Sequence, residues 1–413
     1  MNHDSPISTA GALGARSRGA SILTRRGRYR IATSPKTTFL QQDPVFRGRR
    51  YFSLDDFATL EAARRQPEAL LEGETPVTVD EAQRAPELLL TVKQLVDRNR
   101  SPGRFVLSGS ANFALSKELS ETLAGRALYL TLYPFTRREI QGRLSSKPQL
   151  IRMLQTLKVP KAGTAKIETV REEEILNGGM PSVVLEEVKN RSLWMLGYEQ
   201  TYLERDIREL SQVADLVSFR TLLRLAANGT AQLLNQSELG REAKLPASTV
   251  SRYLSLLETS FVPSRLPSYL RNSATRLIKS PKLFLADSGL AAHLAAVGDL
   301  APETDKPLRA ALYETYFHQN IASILGAHAP TAELGFWHVQ GRHEVDFVIA
   351  HERKTLAIEL KASSRFHSND LAGLRAFLAK SRGPSIGVLA YNGRETVPLE
   401  DKLVAVPMAA VVS

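Results

Sequence analysis

The sequence predicts a multidomain α/β protein, and three observations lead there. A β-branched run, "TPVTVDEAQ", closes on the adjacent acids Asp80 and Glu81. Three short amphipathic helices follow between residues 216 and 260. A C-terminal stretch, "HEVDFVIAHERKTLAIELKAS", then sets acids and a lysine into otherwise apolar strands. At 413 residues the chain suits two to four domains and can bury a substantial core. It has no apolar run long enough to span a bilayer, so no membrane association is expected. The absence of cysteine excludes disulfides, thiolate zinc sites and cysteine nucleophiles, and fits a cytoplasmic setting. A net charge of +11 favours polyanionic partners, the alternative being a basic surface that serves solubility alone.

Residues 1–35 are Arg-rich, with Asp4 as their one acid, and hold no sustained periodicity. They read as a disordered tail. At its end, "SPKTTFLQQ" resembles the second half of a phosphate-binding loop, G-x-x-x-x-G-K-[ST]. Lys36 and Thr37 are in place, while Arg30 and Pro35 stand at the glycine positions. Glycines matter there because a side chain blocks backbone N–H groups from closing around a phosphate, and proline removes an N–H altogether. The preceding "RRGRYRIATSP" also offers no clear buried strand, although "YRIAT" could stand in for one, so the loop reads as ruined. The abrupt change suggests a displaced reading frame or a replaced N-terminus.

From Lys36 onward the chain is orderly. "KTTFLQQ" opens a helix, and "RRYFSLDD" alternates as a strand. A buried strand ending in Asp80–Glu81 is what a Walker B element needs, the aspartate for the Mg²⁺ shell and the glutamate for the attacking water. A solvated strand end is the alternative. "GRFVLSGSAN" carries Ser108, Ser110 and Asn112 at its C-terminal end, where open α/β sheets place ligand-sensing groups. Arg126, after a glycine, is a candidate charge-neutralising arginine.

Over residues 36–413 the chain resembles a prokaryotic family of AAA-type ATPases whose C-terminal domain, of uncharacterised function, has a restriction-endonuclease-like core. The matching residues are "YFSLDD", "VDEAQRAPEL", "RFVLSGSANF", "LAGRALYLTLYPFTRREI", "GGMPSVV", "YLERDIREL", "KSPKLFLADSGLAAHL" and "EVDFVI…AIELKAS". The resemblance implies ATP and Mg²⁺ as cofactors. It also implies a nucleotide site of Lys36, Thr37, Asp80 and Ser110, with Glu81 as a catalytic residue and Asp80 as a metal ligand; the candidate Arg126 would join that site.

The expected organisation is a tail at 1–35, a P-loop ATPase core lacking an intact Walker A loop at 36–140, and a helical lid and connector at 141–215. A winged helix at 216–285 and a PD-(D/E)xK nuclease-like domain at 286–413 follow. The third helix of the middle unit, "LPASTVSRYLSLLETS", turns Val250, Leu254 and Leu257 inward and would present Ser248, Thr249 and Arg252 to DNA. Between Thr259 and Ala286 come Arg265, Arg271, Arg276, Lys279 and Lys282 with no acid, which suits phosphate contact. A winged helix that only packs domains together is the alternative.

In "GFWHVQGRHEVDFVIAHERKTLAIELKASS" two strands surround a turn, with Ala357, Glu359 and Lys361 on one face of the second. A Glu-x-Lys pair in a strand fit for burial needs an explanation, because isolated buried charges are costly. Asp346 and Glu359 as divalent-metal ligands supply one, with Lys361 on the attacking water or the phosphorane charge. Glu314 sits where related nuclease cores contribute a further acid, and Glu344 shares the face of Asp346. A salt-bridged edge strand, in a protein that binds a partner without cutting it, is the alternative. His318, His338, His343 and His351 lack zinc spacing and read as surface or structural, and Asp287 reads as a helix cap.

Overall fold

The computed structural model describes residues 35–109, 122–158, 167–203, 215–269, 280–301, 305–339 and 343–413. The chain divides into two compact units, Met1–Leu132 with Glu258–Phe261 and Tyr133–Leu257 with Val262–Ser413.

The first unit is an α/β layer. Helix α1 (Pro35–Gln42) opens on a proline, whose missing N–H is tolerated at a first helical position. Strands β1 (Arg50–Ser53), β2 (Val77–Asp80) and β3 (Phe105–Leu107) form a parallel sheet in that order, with Ser53 opposite Asp80 and Val79 opposite Leu107. Every residue of β2 is buried, as expected of the β-branched "VTVD" in a central strand. Helix α2 (Pro86–Arg98) lays Leu88, Leu89 and Val92 on the sheet beside Leu54, Leu60 and Leu71. Arg49 binds the sheet's other end. Its guanidinium donates to Thr78 Oγ1 at 2.9 Å and to the carbonyls of Gly103, Val77 and Arg104 at 2.7, 2.6 and 3.0 Å. Among the described residues β3 has one hydrogen-bonded neighbour, and Leu128 and Leu130 are each 68 % exposed.

The second unit begins with residues 133–140, whose short helix is fixed by Arg137. Its N–H donates to Asn320 Oδ1 at 2.7 Å, and its guanidinium to Glu174 at 2.8 Å. Further along, α3 (Leu216–Asn228), β4 (Gln232–Leu233), α4 (Gln236–Ala243), α5 (Ala247–Thr259), β5 (Pro263–Leu266) and β6 (Lys282–Leu285) follow one another. The three strands make an antiparallel sheet in the order β4-β6-β5. Asn235 caps α4, accepting from Glu238 N at 3.1 Å. As the spacing predicts, α5 buries Val250, Leu254 and Leu257. Asp287 caps α6 (Ser288–Leu294), accepting from Leu290 N at 2.9 Å, and also accepts from Gly179 N at 2.6 Å.

The 23-residue helix α7 (Lys306–His328) packs on a six-stranded mixed sheet. Its strands are β7 (Glu333–Val339), β8 (His343–His351), β9 (Lys354–Lys361), β10 (Ser385–Tyr391), β11 (Val397–Glu400) and β12 (Leu403–Pro407), in the order β11-β12-β10-β9-β8-β7. Where two strands were expected around one turn, three form an antiparallel meander, and β9 then runs parallel to β10. Helix α8 (Ala372–Lys380) makes that crossover on the face opposite α7. On the face of β9 that carries Glu359 and Lys361, Ala357 lies in an apolar cluster with Val348 and Leu374, so the face is not polar along its length. Its charged groups come only at Glu359 and Lys361, near the strand's end, and both faces of the sheet are covered by helices.

Candidate functional site

Two clusters of charged side chains are built by this framework, one in each unit.

In the first unit the end of β2 meets the first turn of α1. Thr37 Oγ1 donates to Asp80 Oδ2 at 2.6 Å, and Lys36 Nζ lies 2.5 Å from Glu81 Oε1 and 3.3 Å from Asp80 Oδ1. Two further donors reach Asp80: Tyr51, which the sequence did not single out, and Ser108, which it named among the small polar residues at its strand end. Tyr51, in β1, donates to Asp80 Oδ2 at 2.8 Å, and Ser108, just past β3, donates to Asp80 Oδ1. Burial works against the ionised Asp80. The Lys36 ammonium and the hydroxyls of Ser108, Thr37 and Tyr51 outweigh it, holding the carboxyl below its usual range. Glu81 has φ +58°, a left-handed conformation uncommon for a non-glycine residue, and Gln83 donates to its carboxylate.

Ser110, the expected sensor, lies outside the described residues, and Ser108 makes the contact with Asp80. Arg126 is held by Asp97 through a two-pronged pair at 2.7 and 3.0 Å, so its guanidinium is already engaged.

The second cluster lies where β6, α7, β8 and β9 meet. Lys282 Nζ stands 2.5 Å from Glu344 Oε1, 3.4 Å from Asp346 Oδ1 and 3.5 Å from Glu314 Oε2. This corrects the reading of Lys282 as a phosphate contact, for it is buried at the head of the fully buried strand "KLFL". Burial opposes its charge, but Asp346, Glu314 and Glu344 hold the ammonium above the usual lysine range. Burial pushes Glu314 up to about 8, reinforced by the charge of Asp346. Glu359 is driven well above its ordinary value by burial and then by Asp346, Glu344 and Glu314, and its Oε2 is buried without a hydrogen-bond partner. Asp346 Oδ2 accepts from Leu360 N at 2.8 Å, taking a place in the β8–β9 ladder. Glu314, Asp346 and Glu359 are thus brought to one neighbourhood, but Lys361 points away and donates to Asp370 at 2.6 Å. The sequence signal for Lys282 was a lysine opening an otherwise apolar strand.

Of the expected DNA contacts, Ser248 and Arg252 are exposed on α5 and Thr249 is half-buried, while Arg271 and Lys279 lie outside the described residues. The Arg252 guanidinium rests 5.3 Å from the Tyr253 ring centroid. A cleft of about 590 Å³ is lined by Arg171, Lys306, Arg309, Tyr313, Ser363 and Asn392. Tyr313 joins it in sequence to Glu314. Among the described residues no helix is long and apolar enough to cross a membrane.

Comparison with known proteins gives three matches along the chain. Residues 34–141 match an AAA domain, and residues 169–301 and 309–411 match two domains of unknown function, DUF8612 and DUF4143. Uncharacterised proteins of Mycobacterium bovis and Mycobacterium tuberculosis are each 28 % identical over 332 residues, spanning 80 % of this chain and 68 % of theirs. An uncharacterised protein of Haemophilus influenzae is 26 % identical over 193 residues, 46 % of this chain and 45 % of its own. No solved structure matches. The chain therefore carries an AAA-family domain, which points to nucleotide binding, and a C-terminal DUF4143 domain.

Proposed function

We propose that this chain is a nucleotide-linked protein of AAA type associated with DNA, in which the magnesium end of an ATP site is retained and the backbone cradle for the phosphates is impaired. The convergence of Lys36, Thr37, Asp80, Glu81 and Ser108 carries this reading. Thr37, Asp80 and Ser108 offer hard oxygen donors that suit Mg²⁺. Bound there, the ion would neutralise phosphate charge. Lys36 would turn from Glu81 to phosphate oxygens, and Glu81 would then be free to orient water. The phosphate side fits less well, since Arg30 and Pro35 occupy the glycine positions. Two lost backbone donors cost at least about 3 kcal/mol, roughly a hundredfold in affinity. Calorimetry with Mg²⁺-ATP tests this. Weak binding that disappears in Asp80→Asn is expected; micromolar binding, or binding indifferent to Asp80, contradicts it.

The helix–strand–helix–helix–strand–strand order from α3 to β6 supports a winged helix, with α5 presenting Ser248 and Arg252 to DNA. The C-terminal cluster supports a metal-dependent phosphodiester site. Asp346, Glu359 and Glu314 would hold a divalent cation, and the orphaned Glu359 Oε2 is the observation that fits one. Such a cation polarises a phosphoryl oxygen and lowers the pKa of bound water. A non-catalytic module that binds a protein or nucleic acid is the second reading, favoured by the engagement of Lys361 with Asp370. Nicking of supercoiled plasmid in Mn²⁺, lost in Asp346→Ala, decides for the first; its absence decides for the second.

A further inference from the structure

We propose that Lys282 is the resident cation of the C-terminal acidic site, and that a divalent cation enters that site only by displacing the Lys282 ammonium. The inference rests on the reading of this cluster as a divalent-cation site, and is independent of the nucleotide site.

Lys282 is surrounded as a bound cation would be. Three carboxylates from two elements, Glu314 on α7 and Glu344 and Asp346 on β8, lie 2.5–3.5 Å from its nitrogen. The Phe336 ring, 5.7 Å away at its centroid, covers the ammonium with a π face. A lysine reaches this place because the fully buried strand β6 starts beside it, with Lys282 paired to Leu233 and Leu266.

One ammonium does not saturate the cluster. Four carboxylates gather where one positive side chain is buried, and Glu359 Oε2 has no hydrogen-bond partner despite its burial. A buried acceptor left unpaired is costly, and a cation bound beside it would relieve that cost. Hard oxygen donors without sulfur or imidazole suit a hard divalent cation of the Mg²⁺, Mn²⁺ and Ca²⁺ class, for which Mn²⁺ is the probe. Among the described residues no three such donors converge closely enough to hold a metal. The cluster as it stands is arranged around the ammonium, whose N···O distances of 2.5–3.5 Å to Glu314, Glu344 and Asp346 are longer than Mg²⁺–oxygen bonds. The ammonium would also repel an incoming divalent cation at a few ångströms through a low-dielectric interior. The site keeps its own path of exchange: Glu344, the nearest partner, has a side chain 43 % exposed and can retain the ammonium as it moves outward.

The lysine of the Glu-x-Lys pair takes no part in this arrangement, since Lys361 is bound to Asp370 at 2.6 Å. The cation of the site comes from a strand 64 residues before Asp346.

The test measures Mn²⁺ binding to the full chain by the electron paramagnetic resonance signal of free Mn²⁺, in an Asp80→Asn background that silences the N-terminal site. Lys282→Met should bind Mn²⁺ at least tenfold more tightly than its parent, and adding Glu359→Gln should remove the gain. Equal or weaker binding in a folded Lys282→Met protein overturns the proposal. Should Lys282→Met and Lys282→Gln fold only when Mn²⁺ is present, metal is replacing the ammonium and the proposal stands. Should neither fold even with Mn²⁺, Lys282 is a structural ion-pair partner and the proposal fails. Plasmid nicking separates the two ideas. Tighter Mn²⁺ binding without nicking refutes the phosphodiester reading and leaves the exchange of cations intact; nicking with unchanged Mn²⁺ affinity does the reverse.

Discussion

The Thr37 hydroxyl donates to Asp80 Oδ2 at 2.6 Å, joining the first turn of α1 to the end of β2. Asp80 accepts from Tyr51 and Ser108 as well and pairs with Lys36, so one buried carboxylate ties together four segments of the first unit.

Asp80→Ala should therefore destabilise the first unit by about 3 kcal/mol, because it removes the shared acceptor of three hydroxyl donors and one of the two carboxylates paired with the half-buried Lys36. Thr37→Val should cost only about 1 kcal/mol, the typical worth of one hydrogen bond. Urea unfolding followed through a probe in residues 35–109 reads both. Equal costs would show that Asp80 does not organise the cluster.

His318 carries a pH dependence. It is buried, stacked on Phe284 with ring centroids 4.3 Å apart, and its pKa is pushed down to about 4 by burial. Between pH 4 and 6.5 the unfolded chain takes up a proton that the folded chain refuses, so stability rises with pH through that window. The full contribution is present above about pH 6.5, and about 3 kcal/mol is lost on descending to pH 4. His318→Leu should flatten that part of the stability profile. An unchanged slope in the variant would mean that imidazole charging does not drive it.

Gly178 has φ +66°, and a Cβ added there would meet Asp287 Oδ1 at 2.3 Å. Asp287 is buried and accepts from Gly179 N, so the "GGMP" turn is moulded around the cap of α6. Gly178→Ala should cost more than about 2 kcal/mol, combining backbone strain with a clash against a buried carboxylate. A thermal shift no larger than that of an exposed Gly298→Ala control would contradict this.

Arg252 provides the test of DNA contact. Phosphate neutralisation releases counterions, so Arg252→Glu should reduce the slope of log K against log salt by about 1 and weaken binding similarly on different sequences. An unchanged slope would leave α5 as a packing helix.

Much of this was legible in the sequence. The fully buried "VTVD", the Asn235 and Asp287 caps, and the inward Val250, Leu254 and Leu257 follow from local chemistry and periodicity, which need no knowledge of distant contacts. Lys282 and Lys361 were not legible, because each is decided by a partner far away in the chain or across a turn. Lys282 belongs to Glu344 and Asp346 only once β6 lies beside β8, and Lys361 is claimed by Asp370 in the turn leading to α8. Arg126 is similar: Asp97, at the end of α2, satisfies its guanidinium. Tyr51 was hidden by its strand, where an aromatic residue reads as core until its hydroxyl meets Asp80.

The central claim is that a competent magnesium end survives beside a defective phosphate cradle. Its most direct test replaces the residues before Lys36 by an apolar strand and a G-x-x-x-x-G loop, and measures Mg²⁺-ATP binding by calorimetry. The graft should bind at least about a hundredfold more tightly than the parent, with the gain abolished by Asp80→Asn. A folded graft with no gain, or a gain that survives Asp80→Asn, would contradict the account.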